Sequence, residues 1–70
     1  MKRYIEHFED FYGCTYSLRP NAGNSCDLTA RVPQGDIFYA KHYSSYLGAR
    51  IALGKISEGT ARPTGKKEVI

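Results

Sequence analysis

The chain has 70 residues, with ten Lys or Arg against seven Asp or Glu and a formal net charge of +3. That length allows one domain near the lower limit of a self-sufficient core, with room for one sheet and one or two helices but little for a buried active site, so an enzyme is not expected. The mild positive charge favours acidic partners, and the longest apolar runs fall far short of a membrane span.

Met1-Lys2-Arg3 opens like a signal peptide, but Glu6, Glu9 and Asp10 interrupt any apolar segment behind it. A soluble, cytoplasmic protein is therefore expected. Tyr4, Ile5, Phe8, Phe11 and Tyr12 recur at spacings that predict one apolar stripe on a short helix, stopped by Gly13. Alternation through Tyr4, Glu6 and Phe8 allows a strand instead.

Two half-buried antiparallel strands are predicted next. Cys14, Tyr16 and Leu18 alternate with Thr15, Ser17 and Arg19, and Cys26, Leu28, Ala30 and Val32 alternate with Asp27, Thr29 and Arg31. Between them Pro20-Asn21-Ala22-Gly23-Asn24 reads as a loop. Pairing Arg19 with Ser25 brings Leu18 to Cys26, Tyr16 to Leu28 and Cys14 to Ala30, keeping the apolar faces together. The two thiols are then not opposite each other and serve as small, reduced core residues.

A Pro-Gln-Gly turn leads into a third strand, Asp36 to Tyr43, apolar on both faces. Burying Lys41 unpaired would be costly, so the expected register sets Ala30 against Phe38 and Leu28 against Ala40 on the core side. Ile37, Tyr39, Lys41 and Tyr43 then join Arg19 and Arg31 on the outer face, where Asp27 would sit opposite Lys41. Ser44 or Ser45 caps a helix whose stripe is Tyr46, Ala49, Leu53 and Ile56, widened by Leu47 and Ala52 and ended by Gly59. Leu28, Phe38, Leu53 and Ile56 are the expected core. Residues 60–70, with Arg62, Lys66 and Lys67, offer little to bury and read as a flexible basic tail on a domain of residues 1–59.

No catalytic, metal or cofactor constellation stands out. Cys14, Cys26, His7 and His42 lack the close ligand pairs of a structural zinc site. His7 beside Glu6 and Glu9, or His42 with either thiol, supplies residue types without a pocket. Gly59 and Gly65-Lys66 miss the phosphate-loop pattern, having five residues between the glycines and Lys67 where Ser or Thr belongs.

The expected outer face is therefore the candidate binding site: Arg19, Arg31, Ile37, Tyr39, Lys41 and Tyr43, with tail contacts from Arg62, Lys66 and Lys67. Basic residues interleaved with tyrosines suit a nucleic-acid backbone and its bases. The stretch Asp36-Ile37-Phe38-Tyr39-Ala40-Lys41-His42-Tyr43-Ser44-Ser45, with Ala49 beyond it, resembles the last strand and helix entry of the small N-terminal DNA-binding domains of phage and transposon integrases. In size, in sheet-plus-helix build and in lacking catalytic residues, the chain also resembles small phage and mobile-element proteins of the anti-CRISPR kind. That resemblance implies stoichiometric binding to a host protein or nucleoprotein complex with an acidic surface, in the host cytoplasm. DNA or RNA binding is the alternative. The expected fold is α+β: a three-stranded antiparallel meander with one main helix across one face, a short N-terminal helix or strand, and a flexible C-terminal tail.

Overall fold

The alternating stretches Thr15–Pro20 and Cys26–Arg31 do pair as antiparallel strands, but they form the middle of a larger sheet. The computed structural model describes residues 3–69. Its elements are β1 (Tyr4–Glu9), β2 (Thr15–Pro20), β3 (Cys26–Arg31), β4 (Ile37–Tyr43), α1 (Tyr46–Ile56) and β5 (Arg62–Val69), with a short 3₁₀ turn at Ala22–Asn24. The strands make one five-stranded sheet in the order β4-β3-β2-β1-β5. The α+β class stands, while the three-stranded meander and the flexible tail are both corrected. The N-terminal segment is a strand, and residues of the supposed tail pair with it.

Every neighbouring pair is antiparallel. It follows that β4 and β5, at opposite edges, run in the same direction, and α1 carries the chain from one edge to the other across a single face. The helix is capped by Ser45, whose Oγ accepts from the Gly48 N–H at 3.0 Å. It ends at Ile56, one turn before Gly59, where Ser57 donates its hydroxyl to the Leu53 carbonyl at 2.8 Å. No helix among the described residues is long and apolar enough to cross a membrane.

The core lies between the sheet and α1. It comprises Phe8, Tyr16, Leu18, Cys26, Leu28, Ala30, Ala49 and Leu53. Leu28 and Leu53 are as buried as expected, but Phe38 remains 48% exposed and Ile56 is only half-buried. Facing residues share a side of the sheet, and the β2–β3 register sets Leu18 against Leu28 and Tyr16 against Ala30. That is two residues from the expected pairing, and an even shift preserves which face is buried. Both cysteines are free thiols, Cys26 buried and Cys14 half-buried. Burial pushes the thiol pKa of each upward.

The turn from β1 to β2 is built on Asp10. Its carboxylate accepts from the Tyr12 N–H at 2.8 Å, the Cys14 N–H at 2.9 Å and the Tyr16 hydroxyl at 2.7 Å. Gly13, at φ +85°, supplies the left-handed residue the reversal needs. Desolvation pushes the Asp10 carboxyl up, yet the hydrogen bonds from Tyr16, Cys14, Tyr12 and Gly13 together hold it below its ordinary value. Tyr16 is shifted upward by burial and then by this bond.

Asp10→Ala would leave the hydroxyl of buried Tyr16 without an acceptor. The expected loss is about 1–3 kcal/mol in urea unfolding. The same carboxylate sets an acid dependence. Because its folded pKa is depressed, its contribution is complete above the unfolded value of about 3.9 and disappears as the pH falls through the folded value. Wild type should therefore lose this increment below about pH 4 while the Asp10→Ala variant does not.

Candidate functional site

The face of the sheet away from α1 is uncovered, and its side chains fall into three rows. Arg62, Glu9, Thr15, Arg31 and Ile37 cross one end. His7, Ser17, Thr29 and Ala40 cross the middle, and Glu68, Ile5, Arg19, Asp27 and His42 cross the other end. The centre is a shallow depression of about 490 Å³ lined by Ile5, His7, Ser17, Arg19, Thr29 and Arg31 among others. Its charges are largely answered locally. His7 pairs with Glu68 at 3.0 Å, and His42 with Asp27 at 2.6 Å. The hydrogen bonds from His42 and then Asn21 hold the Asp27 carboxyl below its ordinary value, with help from the charge of Arg19. Arg31 donates to the Gly35 carbonyl of its own hairpin at 3.0 Å.

The expected binding residues do not share one face. Arg19, Arg31 and Ile37 do lie on the outer side. Tyr39, Lys41 and Tyr43 do not, because β4 pairs with Tyr43 opposite Cys26, Lys41 opposite Leu28 and Tyr39 opposite Ala30. That one-residue slip moves all three to the helix side, and it sets His42, not Lys41, against Asp27. The argument against burying Lys41 fails for a simple reason. Strand β4 is an edge, so a side chain on the helix side still reaches water there, and Lys41 is exposed. A bulge at Ala30/Arg31 then returns Ile37 to the outer side, opposite Arg31.

The three tail residues lie on β5 at the far edge. Arg62 donates to the Gly59 and Ala61 carbonyls at 3.0 Å, tying the exit of the helix. The Lys66 N–H donates to the Thr64 hydroxyl at the β5 bulge, and the Lys67 ammonium lies 6.0 Å from the centre of the Tyr4 ring. No carboxylate, thiol and imidazole groups converge in a set of three or more among the described residues.

The helix side of β4 forms a second site that residue patterns only partly indicated. Tyr39 and Tyr43 join hydroxyls at 2.5 Å over Lys41, whose ammonium lies 5.4 Å from the centre of the Tyr43 ring. That mutual hydrogen bond, followed by desolvation, raises the Tyr43 pKa. Between these tyrosines and α1 runs a groove of about 350 Å³ lined by Gly48, Ile51, Ala52, Lys55 and Ile56. Above it, the outward ridge of α1 carries Leu47, 69% exposed, and Ile51, 52% exposed, one turn apart. The far flank of the helix is engaged internally. The Tyr46 hydroxyl donates to the Glu6 carboxylate at 2.6 Å, and the Arg50 guanidinium lies 4.8 Å from the centre of the Phe8 ring. Burial and then the bond to Glu6 push the Tyr46 pKa up to about 12.

Leu47, expected to widen the buried stripe, is exposed, and so is Ile51, which lies outside that stripe. The available signal was composition: Arg50 and Lys55 are the only charged residues in α1, and both lie on its flanks, leaving its crest apolar. A glycine also sits on that crest. A Cβ built at Gly54 would meet nothing within 4 Å, so the fold itself does not require glycine there. Comparison of the chain with protein-family models, curated proteins and solved structures returned no match.

Proposed function

We propose that this chain is a small non-enzymatic binding protein that acts by stoichiometric contact with another protein, through the crest of α1 and the adjoining β4 edge. The observation that carries the reading is the apolar crest itself. A helix with an apolar crest as well as an apolar underside is suited to burial on both, whereas α1 has the sheet beneath it and no described residue covering Leu47 and Ile51. Leu47 and Ile51 supply the centre of an interface, and Tyr39 and Tyr43 are of the type that dominates interface energies. Gly54 lowers helix stability by up to about 1 kcal/mol relative to Ala, a cost consistent with a partner's close approach. Lys41 and Lys55 make the rim basic, which fits an acidic protein surface. The likeness in size and build to anti-CRISPR proteins is the ground for placing that partner in host machinery.

Nucleic-acid binding on the outer face has less support. Arg19 and Arg31 remain there, but of the described residues that line the depression only Tyr16 is aromatic, and it belongs to the buried core on the helix side. Base stacking therefore has no platform on that side.

The deciding variant is Leu47→Gln with Ile51→Gln, which replaces two exposed apolar groups with good helix formers. Its melting temperature should stay within a few degrees of wild type, while one-to-one capture of a protein partner falls at least about tenfold. Retained capture by this variant, or its loss in Arg19→Ala/Arg31→Ala together with steeply salt-dependent binding to generic single-stranded DNA, would refute the reading. A wild-type dimer that the glutamine variant converts to monomer would assign the crest to self-association instead.

A further inference from the structure

We infer that the partner of this surface docks by strand addition, supplying an extended segment that pairs with the free edge of β4 as a sixth strand and places an acidic residue opposite Lys41. The inference rests on the protein-binding reading above and specifies the chemistry of what is bound.

Three observations converge on it. First, β4 is the last strand on its side of the sheet, so alternate backbone N–H and C=O groups along it have no strand neighbour. Second, the groove between β4 and α1 lies where an added strand would put its helix-side residues. Such a strand runs about 4.8 Å beyond β4, and every second side chain stands on the helix side, next to Tyr39, Lys41 and Tyr43. The tyrosines, Ile51 and Ile56 offer apolar surface to the residues flanking the centre. Third, the charge at the centre, which lies against the Tyr43 ring, has no acidic partner among the described residues. Among the described residues neither Lys41 nor Lys55 has a carboxylate within ion-pair distance, the ion pairs present being His7–Glu68 and His42–Asp27.

Together these define a pattern of apolar, any, acidic, any, apolar, with the acidic residue set against Lys41 and the apolar ones against Tyr39 and Tyr43. The bulge at Ala30/Arg31 limits regular pairing to about five residues, Tyr39 to Tyr43. The same lysine argues against a second copy as the occupant. Pairing two β4 edges antiparallel about their midpoints brings both Lys41 side chains onto one face as close neighbours, and inward-facing charges of this kind are a known guard against edge-to-edge association.

The test uses the intact, isotope-labelled chain and the acetylated, amidated heptapeptide Thr-Val-Thr-Glu-Thr-Val-Thr, followed by NMR. Binding should move the amide signals of residues 37–43 and the side chains of Ile51 and Ile56. Replacing the central Glu by Lys should weaken binding about fivefold, and Lys41→Glu in the protein should reverse that preference. N-methylation of alternate peptide amides gives the sharpest readout. One alternate set should abolish binding and the other leave it nearly intact, because only one edge of an added strand faces β4. Equal effects of the two sets, shifts centred on the outer face, or no shifts at about 1 mM peptide would each overturn strand addition. If the peptide fails while Leu47→Gln/Ile51→Gln still abolishes capture of the protein partner, strand addition alone is lost. If that variant also captures normally, the proposed function falls with it.

Discussion

Deleting residues 62–70 is expected to unfold the chain or leave it barely stable. Strand β5 pairs with β1 at five positions, Tyr4 with Val69, Ile5 with Glu68, Glu6 with Lys67, Phe8 with Pro63 and Glu9 with Arg62. At about 0.5–1.5 kcal/mol net for each backbone hydrogen bond, and about one bond per paired position, losing this ladder removes about 2–8 kcal/mol. A domain of this size holds only about 4–10 kcal/mol in total. The deletion also strips Pro63 from beside Phe8 in the cleft they share with Leu53, uncovering one of the largest buried side chains. Far-ultraviolet circular dichroism of the truncated chain should show the sheet signal lost or its thermal transition far lower. A transition unchanged to within a few degrees would mean that β5 is peripheral to the fold.

This strand shows what kind of structure stays hidden in a sequence. All eight of its residues are exposed, so Arg62–Val69 carries no apolar alternation to betray it. What holds it is main-chain pairing with a strand at the other end of the chain, and a bulge at Gly65, φ +83°, breaks even the regular pattern of that pairing. Strands β2 and β3 were legible because each has one buried and one wet face, and that difference is written in alternation. Strand β4 was legible as a strand but not in register. Strict alternation would set Phe38 and Ala40 against Tyr39 and Tyr43, two equally apolar sets, whereas the bulge leaves Phe38 unpaired with its ring 6.4 Å from that of Tyr16, and at an edge the lysine between the tyrosines does not have to be buried. In β1 the helical spacing came from Phe11 and Tyr12, which belong to the turn; they are 82% and 68% exposed and meet edge to face at 5.6 Å. Of the candidate site, the sequence shows the aromatic and basic residue types of β4 but not their side of the sheet, which the β3–β4 register sets toward the helix. Leu47, expected in the buried stripe, lies on the crest.

Leu28→Ala is expected to cost about 2–5 kcal/mol, comparable to the loss of β5. Leu28 is completely buried at the centre of β3, paired with Leu18 on one side and Lys41 on the other, beneath Ala49 and Leu53 of α1. Removing three carbon atoms there opens a cavity between sheet and helix that a short, strand-bound backbone cannot close. Leu47→Ala is the matched control, since the same truncation on the exposed crest should change stability by no more than about 0.5 kcal/mol. Urea unfolding of the two variants should therefore separate them clearly. Equal midpoints would mean that α1 does not rest on β3.

The crossing of α1 from one edge strand to the other also decides how the molecule comes together in time. Strands β1 to β4 are joined by short reversals and can meet as neighbours, but the pairing of Tyr4 with Val69 joins the two ends of the described chain. That closure must bear the entropy of the whole intervening loop before it returns any contact energy. Chains dominated by such distant pairings fold in about milliseconds to seconds, far more slowly than helical chains of equal length. During that interval β1 is itself an open edge, with Phe8 incompletely covered. The early hairpins are therefore the species most exposed to misassociation, and the lysines and proline of β5 shield the edge only once folding is complete.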